Sequence, residues 1–111
     1  MRIPADALVP GEKLTKYLLV HREWDDKAKF LAKAGFGLQN APRLLAAIRK
    51  LAAEAEAVED GANEYGDFLR ADGELQGPNG VILSVTSIWL REKLGGRVCF
   101  VTLKPRKEKK A

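Results

Sequence analysis

The sequence predicts an α+β fold, with two or three N-terminal helices packed on one face of a three- to four-stranded antiparallel sheet. Two observations carry this. Apolar residues recur every three or four positions as far as about residue 55. After it, β-branched and alternating runs take over, separated by turns rich in Gly and Asn. Helices first and strands afterwards is the α+β order. A chain of 111 residues suits one core. Residues 1–105 are therefore expected to form a single domain, with 1–11 an irregular arm and 106–111 a basic, disordered tail.

Each element has its own signal. Pro10 fits the first turn of a short helix over "GEKLTKYLLV", whose apolar side is Leu14, Tyr17 and Leu18. "WDDKAKFLAKAGFG" is a second helix, capped by Asp25 or Asp26, buried through Ala28, Phe30, Leu31 and Ala34, and stopped by Gly35. "NAPRLLAAIRKLAAEAEAV" is the strongest helix. Asn40 is its expected cap, and Leu44, Leu45, Ile48, Leu51, Ala52 and Ala55 recur at helical spacing. "AEAVED" then opens an edge strand and "EYGDFLRADGEL" a second strand. "GPNG" at 77–80 is a turn, "VILSVTSIWLR" the central strand and "RVCFVTLK" the last, after a Gly95–Gly96 hairpin.

Composition narrows the function classes. Apolar residues are 46% and charged residues 31%, an ordinary globular balance. The single cysteine, Cys99, cannot form an internal disulfide, and no charged-then-apolar leader opens the chain. No apolar run is long enough to span a bilayer. The expectation is a cytoplasmic protein with no membrane partner. With one His and one Cys there is no zinc cluster to build, so neither a metal nor another cofactor is expected. The net charge of +4 and the basic run from Lys104 to Lys110 suit a phosphate backbone. The plainer reading of the last residues is a solvated tail.

A two-residue Gly95–Gly96 turn would pair Leu94 with Arg97. Trp89 would then oppose Thr102, Ser87 would oppose Lys104, and Arg91 would oppose Phe100. Opposed residues share a face. Ser87, Trp89, Arg91, Thr102 and Lys104 would thus gather on one face. Ile88, Leu90, Cys99, Val101 and Leu103 would turn to the helix-packed core. Two hydroxyls, two cations and an indole could grip a phosphate and stack on a base. The competing reading is a solvated sheet face on which a Trp–Thr pair merely stabilises.

The segments "EKLTKYLLV", "DDKAKFLAKAGF", "NEYGDFLRADGELQGPNG", "SIWL" and "FVTLKP" resemble, in order and over most of the chain, an uncharacterised bacterial domain family. That family occurs alone and at the C-termini of phage head-morphogenesis and polymorphic-toxin-like proteins. More distantly, helices followed by a four-stranded sheet are similar to the barnase–EndoU–colicin–RelE-like ribonuclease fold. The resemblance implies metal-independent RNA cleavage and a neutralising protein partner. The family's hydroxyl–x–Trp pattern falls on Ser87 and Trp89, its Val–Thr on Val101 and Thr102, and its Lys–x–Lys–Phe on Lys27, Lys29 and Phe30. Toxin-fused members carry a Pro-His-Pro type loop. Here "VHREWDD" is shorter and His21 is out of register.

Such cleavage needs a base, an acid and charge stabilisation at the phosphorane. With His21 the only histidine, a two-histidine mechanism is excluded within one chain. The expected catalytic set is Lys29, Ser87, Thr102 and Lys104, with Lys27, Trp89, Arg91 and Tyr17 binding RNA. Each has a plainer alternative: Lys27 and Lys29 as solvated helix charges, Tyr17 as a core residue with its hydroxyl at the rim. The rival to the nuclease is a non-catalytic interaction or assembly domain. An exposed Val85/Trp89/Phe100 patch would suit it, as a homodimer or with a partner.

Overall fold

The computed structural model describes residues 2–10 and 27–106. Helix α1 is Lys27–Ala32 and helix α2 is Ala41–Glu54, with a single 3-10 turn at Leu38–Asn40 between them. Four strands follow: β1 Ala57–Asn63, β2 Gly66–Gln76, β3 Ile82–Glu92 and β4 Val98–Pro105. They form one antiparallel sheet in chain order, β1-β2-β3-β4. The helix expected over 11–20, the caps Asp25 and Asp26, and the tail from 107 lie outside the described residues. No described helix is long and apolar enough to cross a membrane.

Among the described residues one helix, α2, packs against the sheet, where two or three are expected. Leu44, Ile48, Leu51 and Ala52 make its buried stripe. Leu51 settles over Gly73 of β2, where an added Cβ would stand 2.8 Å from the leucine Cγ. Helix α1 is short and adds Leu31 to the same core. Asn40 does not cap α2 through its side chain. Its Oδ1 accepts from the Gly37 N–H at 2.8 Å, and its Nδ2 donates to the Gly35 carbonyl at 2.9 Å, so it ties the preceding loop instead. Gly35 takes φ +90 and ends the α1 segment as expected.

The last hairpin departs from the expected geometry in two ways. Its loop is Lys93–Gly96, four residues long: the Glu92 N–H donates to the Arg97 carbonyl at 2.8 Å, and Gly95 and Gly96 both have positive φ. Further along, Trp89 opposes Phe100 while Ile88 opposes Thr102, leaving Val101 as an unpaired extra residue in β4. A bulge of this kind reverses the side-chain parity of the strand beyond it. Thr102 and Lys104 are thereby turned to the face opposite Ser87 and Trp89.

The assignment of faces is corrected accordingly. Leu83, Val85, Ser87 and Trp89 of β3, with Phe100 and Leu103 of β4, lie in the helix-covered core. The half-buried Ile88, Leu90 and Cys99 lie on the opposite face with Thr102 and Lys104. Val85, Trp89 and Phe100 are each at most 1% exposed and form no surface patch.

The first residues are ordered against this frame. Leu8 bridges to Cys99 in parallel, its N–H donating to Val98 and its carbonyl accepting from Phe100. Ile3, Ala7 and Val9 join the core.

Candidate functional site

The five residues expected to share one face fall into two groups. On the core face, the Ser87 Oγ donates to the Ala71 carbonyl at 2.8 Å, and the Trp89 indole Nε1 donates to the Ser87 Oγ at 2.9 Å. The Trp89 ring meets Phe100 edge-on, with centroids 5.3 Å apart. The polar atoms of Ser87 and Trp89 are satisfied inside the protein, at 1% exposure each. They brace the core and present nothing to a ligand. Arg91 lies at the margin of that face. Its Nη2 reaches Glu59 Oε1 at 2.7 Å and Asp67 Oδ2 at 3.0 Å. Those two carboxylates, Glu59 first, hold the guanidinium above its ordinary pKa.

Across the sheet, the face away from α2 carries the remaining two. Lys104 opposes Thr86, which opposes Asp72, forming one rung over three strands. The next rung is Thr102, Ile88 and Arg70. The Thr86 Oγ1 donates to Asp72 Oδ1 at 2.6 Å, and Arg70 Nε lies 3.8 Å from Asp72 Oδ2. Thr102 is half-buried, its Oγ1 donating to the Leu103 carbonyl at 3.4 Å, and Lys104 is exposed. Two hydroxyls, two cations and a carboxylate therefore converge on one patch. Such a set can donate hydrogen bonds from the cations and hydroxyls and accept a proton at the carboxylate.

Arg70, Asp72 and Thr86 were not among the expected residues. The expectation of a hydroxyl opposite Lys104 is met by Thr86 instead of its neighbour Ser87, because the register differs by one. No local signal separates the two: Ile82, Ile88 and Leu90 are as large and apolar as Leu83, Val85 and Trp89, so both faces of β3 read alike in the sequence.

Lys27 and Lys29 lie on α1, and Lys29 is exposed. Tyr17 and His21 lie outside the described residues. Among the described residues, no three His, Cys, Asp or Glu side chains come together as a metal site.

No curated protein matches this chain. A chain in a solved structure described as a contact-dependent growth inhibition toxin–immunity protein complex from Klebsiella pneumoniae 342 has the same fold, with a TM-score of 0.64 and 19% identity. The likeness covers 94% of this chain and 97% of that one. A family model described as a domain of unknown function, DUF6883, matches residues 4–107, so the chain belongs to the DUF6883 family.

Proposed function

We propose that this domain is the toxin-like member of a toxin–immunity pair, and that it cleaves RNA without a metal on the sheet face away from α2. The observation that carries the reading is the pair of adjacent rungs, which bring Arg70, Asp72, Thr86, Thr102 and Lys104 into one patch. The fold likeness to a chain of a toxin–immunity complex supports the setting. The net charge of +4 supports a polyanionic substrate.

In this mechanism the ribose 2′-hydroxyl attacks the adjacent phosphorus and the bond to the 5′-oxygen breaks. The products are a 2′,3′-cyclic phosphate and a 5′-hydroxyl. Asp72 takes the 2′ proton through the oxygen not bonded to Thr86. Lys104 gives a proton to the departing oxygen. Arg70 and the Thr102 hydroxyl hold the non-bridging oxygens as charge accumulates on them.

The test is purified protein incubated with tRNA and total RNA in EDTA and run on a denaturing gel. Discrete cleavage is expected. It should fall by roughly 10²-fold or more in Thr102→Ala and in Lys104→Ala, with folding intact. Uncut RNA from folded protein, or full activity in both variants, overturns the reading.

A second reading is a non-catalytic binding member of such a pair. It is favoured by the half-buried Phe68, Ile88 and Leu90, an apolar strip running beside the polar rungs that suits a protein surface. Intact RNA together with a stable complex with the cognate partner would select it.

A further inference from the structure

Strand β2 is longer than the neighbour on its outer side. β1 begins at Ala57, which opposes Ala71, while β2 runs on to Gln76. The direction of the backbone groups in this overhang follows from two hydrogen bonds. Glu92 donates to Arg97, and Arg106 donates to the Ser84 carbonyl. The even-numbered residues of β3 therefore point their N–H and C=O toward β4, and the odd-numbered ones point toward β2. Val85 opposes Gly73 and Leu83 opposes Leu75, so the odd-numbered residues of β2 bond back to β3. No described residue pairs with β2 beyond this point, so the N–H and C=O of Glu74 and Gln76 face outward at an open edge.

A groove of about 570 Å³ lies along that edge, between it and one stripe of α2. Phe36, Ala46 and Ala47 supply apolar lining, and Arg43, Lys50 and Glu54 stand on the helix side. Glu74, Gln76 and the exposed Ile82 stand on the sheet side. Open edges in monomeric domains are usually blunted by a charge, a proline or a covering segment. The opposite edge of this sheet shows both other devices: Leu8 covers β4 near Cys99, and Pro105 removes an N–H at its end.

We propose that the overhang of β2 takes one extended segment of a protein partner as an added strand, end to end with β1. Four backbone hydrogen bonds to Glu74 and Gln76 would hold it. Its side chains would alternate, small and apolar toward Ala46 and Ala47, basic toward Glu74. A second copy of this chain is the poorer occupant. A two-fold pairing centred on Glu74 sets it directly against Glu74 of the other copy, and one centred on Leu75 sets it against Gln76, so neither register offers Glu74 a cation. The inference stands on the sheet edge alone and is independent of the RNA reading.

The test uses the isotope-labelled whole chain and a capped hexapeptide of alternating Val and Lys. The control is the same peptide N-methylated at alternate residues, so that it cannot pair as a strand. At millimolar peptide, amide shifts are expected at Glu74, Gln76 and the α2 stripe, with slowed amide exchange at Glu74 and Gln76. The control peptide should leave both unchanged. Glu74→Lys should weaken binding by about fivefold or more. No shift at the edge, equal binding of the control peptide, or unchanged affinity in Glu74→Lys overturns the proposal. Sedimentation showing that the chain dimerises through this edge overturns the choice of occupant.

Discussion

At the scale of single residues, two polar side chains in the core show how this sheet is held. Trp89 brings a large apolar ring with one donor, and Ser87 supplies the acceptor two residues away on the same face. Ser87 passes the bond on to the Ala71 carbonyl of β2. Ser87→Ala leaves the indole N–H buried without a partner, and such a group costs about 1–3 kcal/mol. The midpoint of urea unfolding, followed by tryptophan fluorescence, should move down accordingly. A variant as stable as the wild type would remove this bond from the account.

Cys99 gives the pH-dependent counterpart. Burial first, and then the Glu92 carboxylate that accepts from its thiol at 3.5 Å, push the Cys99 pKa up. The folded state thus holds the thiol proton more tightly than the unfolded chain. The stability it contributes is present below the ordinary thiol pKa and is lost as pH rises through the raised value. Alkylation by iodoacetamide at neutral pH should be slower than for a cysteine in a short peptide. Glu92→Gln should move the reactive range to lower pH.

At the scale of elements, one unpaired residue decides which side chains meet. The extra Val101 makes β4 present Phe100 to the core and Thr102 to the other face, although the two are separated by an even count. Nothing in "FVTL" announces it: no glycine marks the bulge, and all four residues suit a strand. The hairpin loop was hidden in the same way. Lys93 and Leu94 continue the strand pattern, yet Leu94 is 89% exposed at the loop tip. The strands and the "GPNG" turn were legible because β-branched runs and Gly-Asn punctuation report local backbone preference. The pairing of faces was not, because parity depends on a non-local count. Deleting Val101 would remove the bulge yet leave Phe100 opposite Trp89 and Thr102 opposite Ile88, so Thr102 and Lys104 keep their face. The deletion variant should therefore still unfold cooperatively, as followed by tryptophan fluorescence in urea. Loss of cooperative unfolding would show that the bulge itself, and not only the pairing on either side of it, is needed to close the sheet.

At the scale of the whole molecule, the sheet and α2 share a core that the residues ahead of the helices help to close. The sequence marks this stretch as an irregular arm, since it has two prolines and no periodicity. It is irregular in form, yet it spans the structure from helix to sheet edge. At one end, the Arg2 Nη1 donates to the carbonyls of Ala53 and Glu54, at 2.8 and 3.0 Å, where α2 leaves its last carbonyls without intrahelical donors. In the middle, the Arg49 Nη1 donates back to the Ala7 carbonyl at 3.1 Å. At the other end, Leu8 pairs with the edge of β4. Between these ties Ile3 and Val9 are buried, and full burial of such side chains contributes about 1.5–3 kcal/mol each as an upper range. Removing residues 1–9 should therefore cost several kcal/mol and lower the melting temperature by about 4–8 °C for each kcal/mol lost. Arg2→Ala should cost much less, because it cuts one exposed tie and leaves the apolar contacts in place. If the shortened chain melts with the full-length one, the arm lies on the core without stabilising it. If Arg2→Ala matches the deletion, the helix-end hydrogen bonds outweigh the buried side chains.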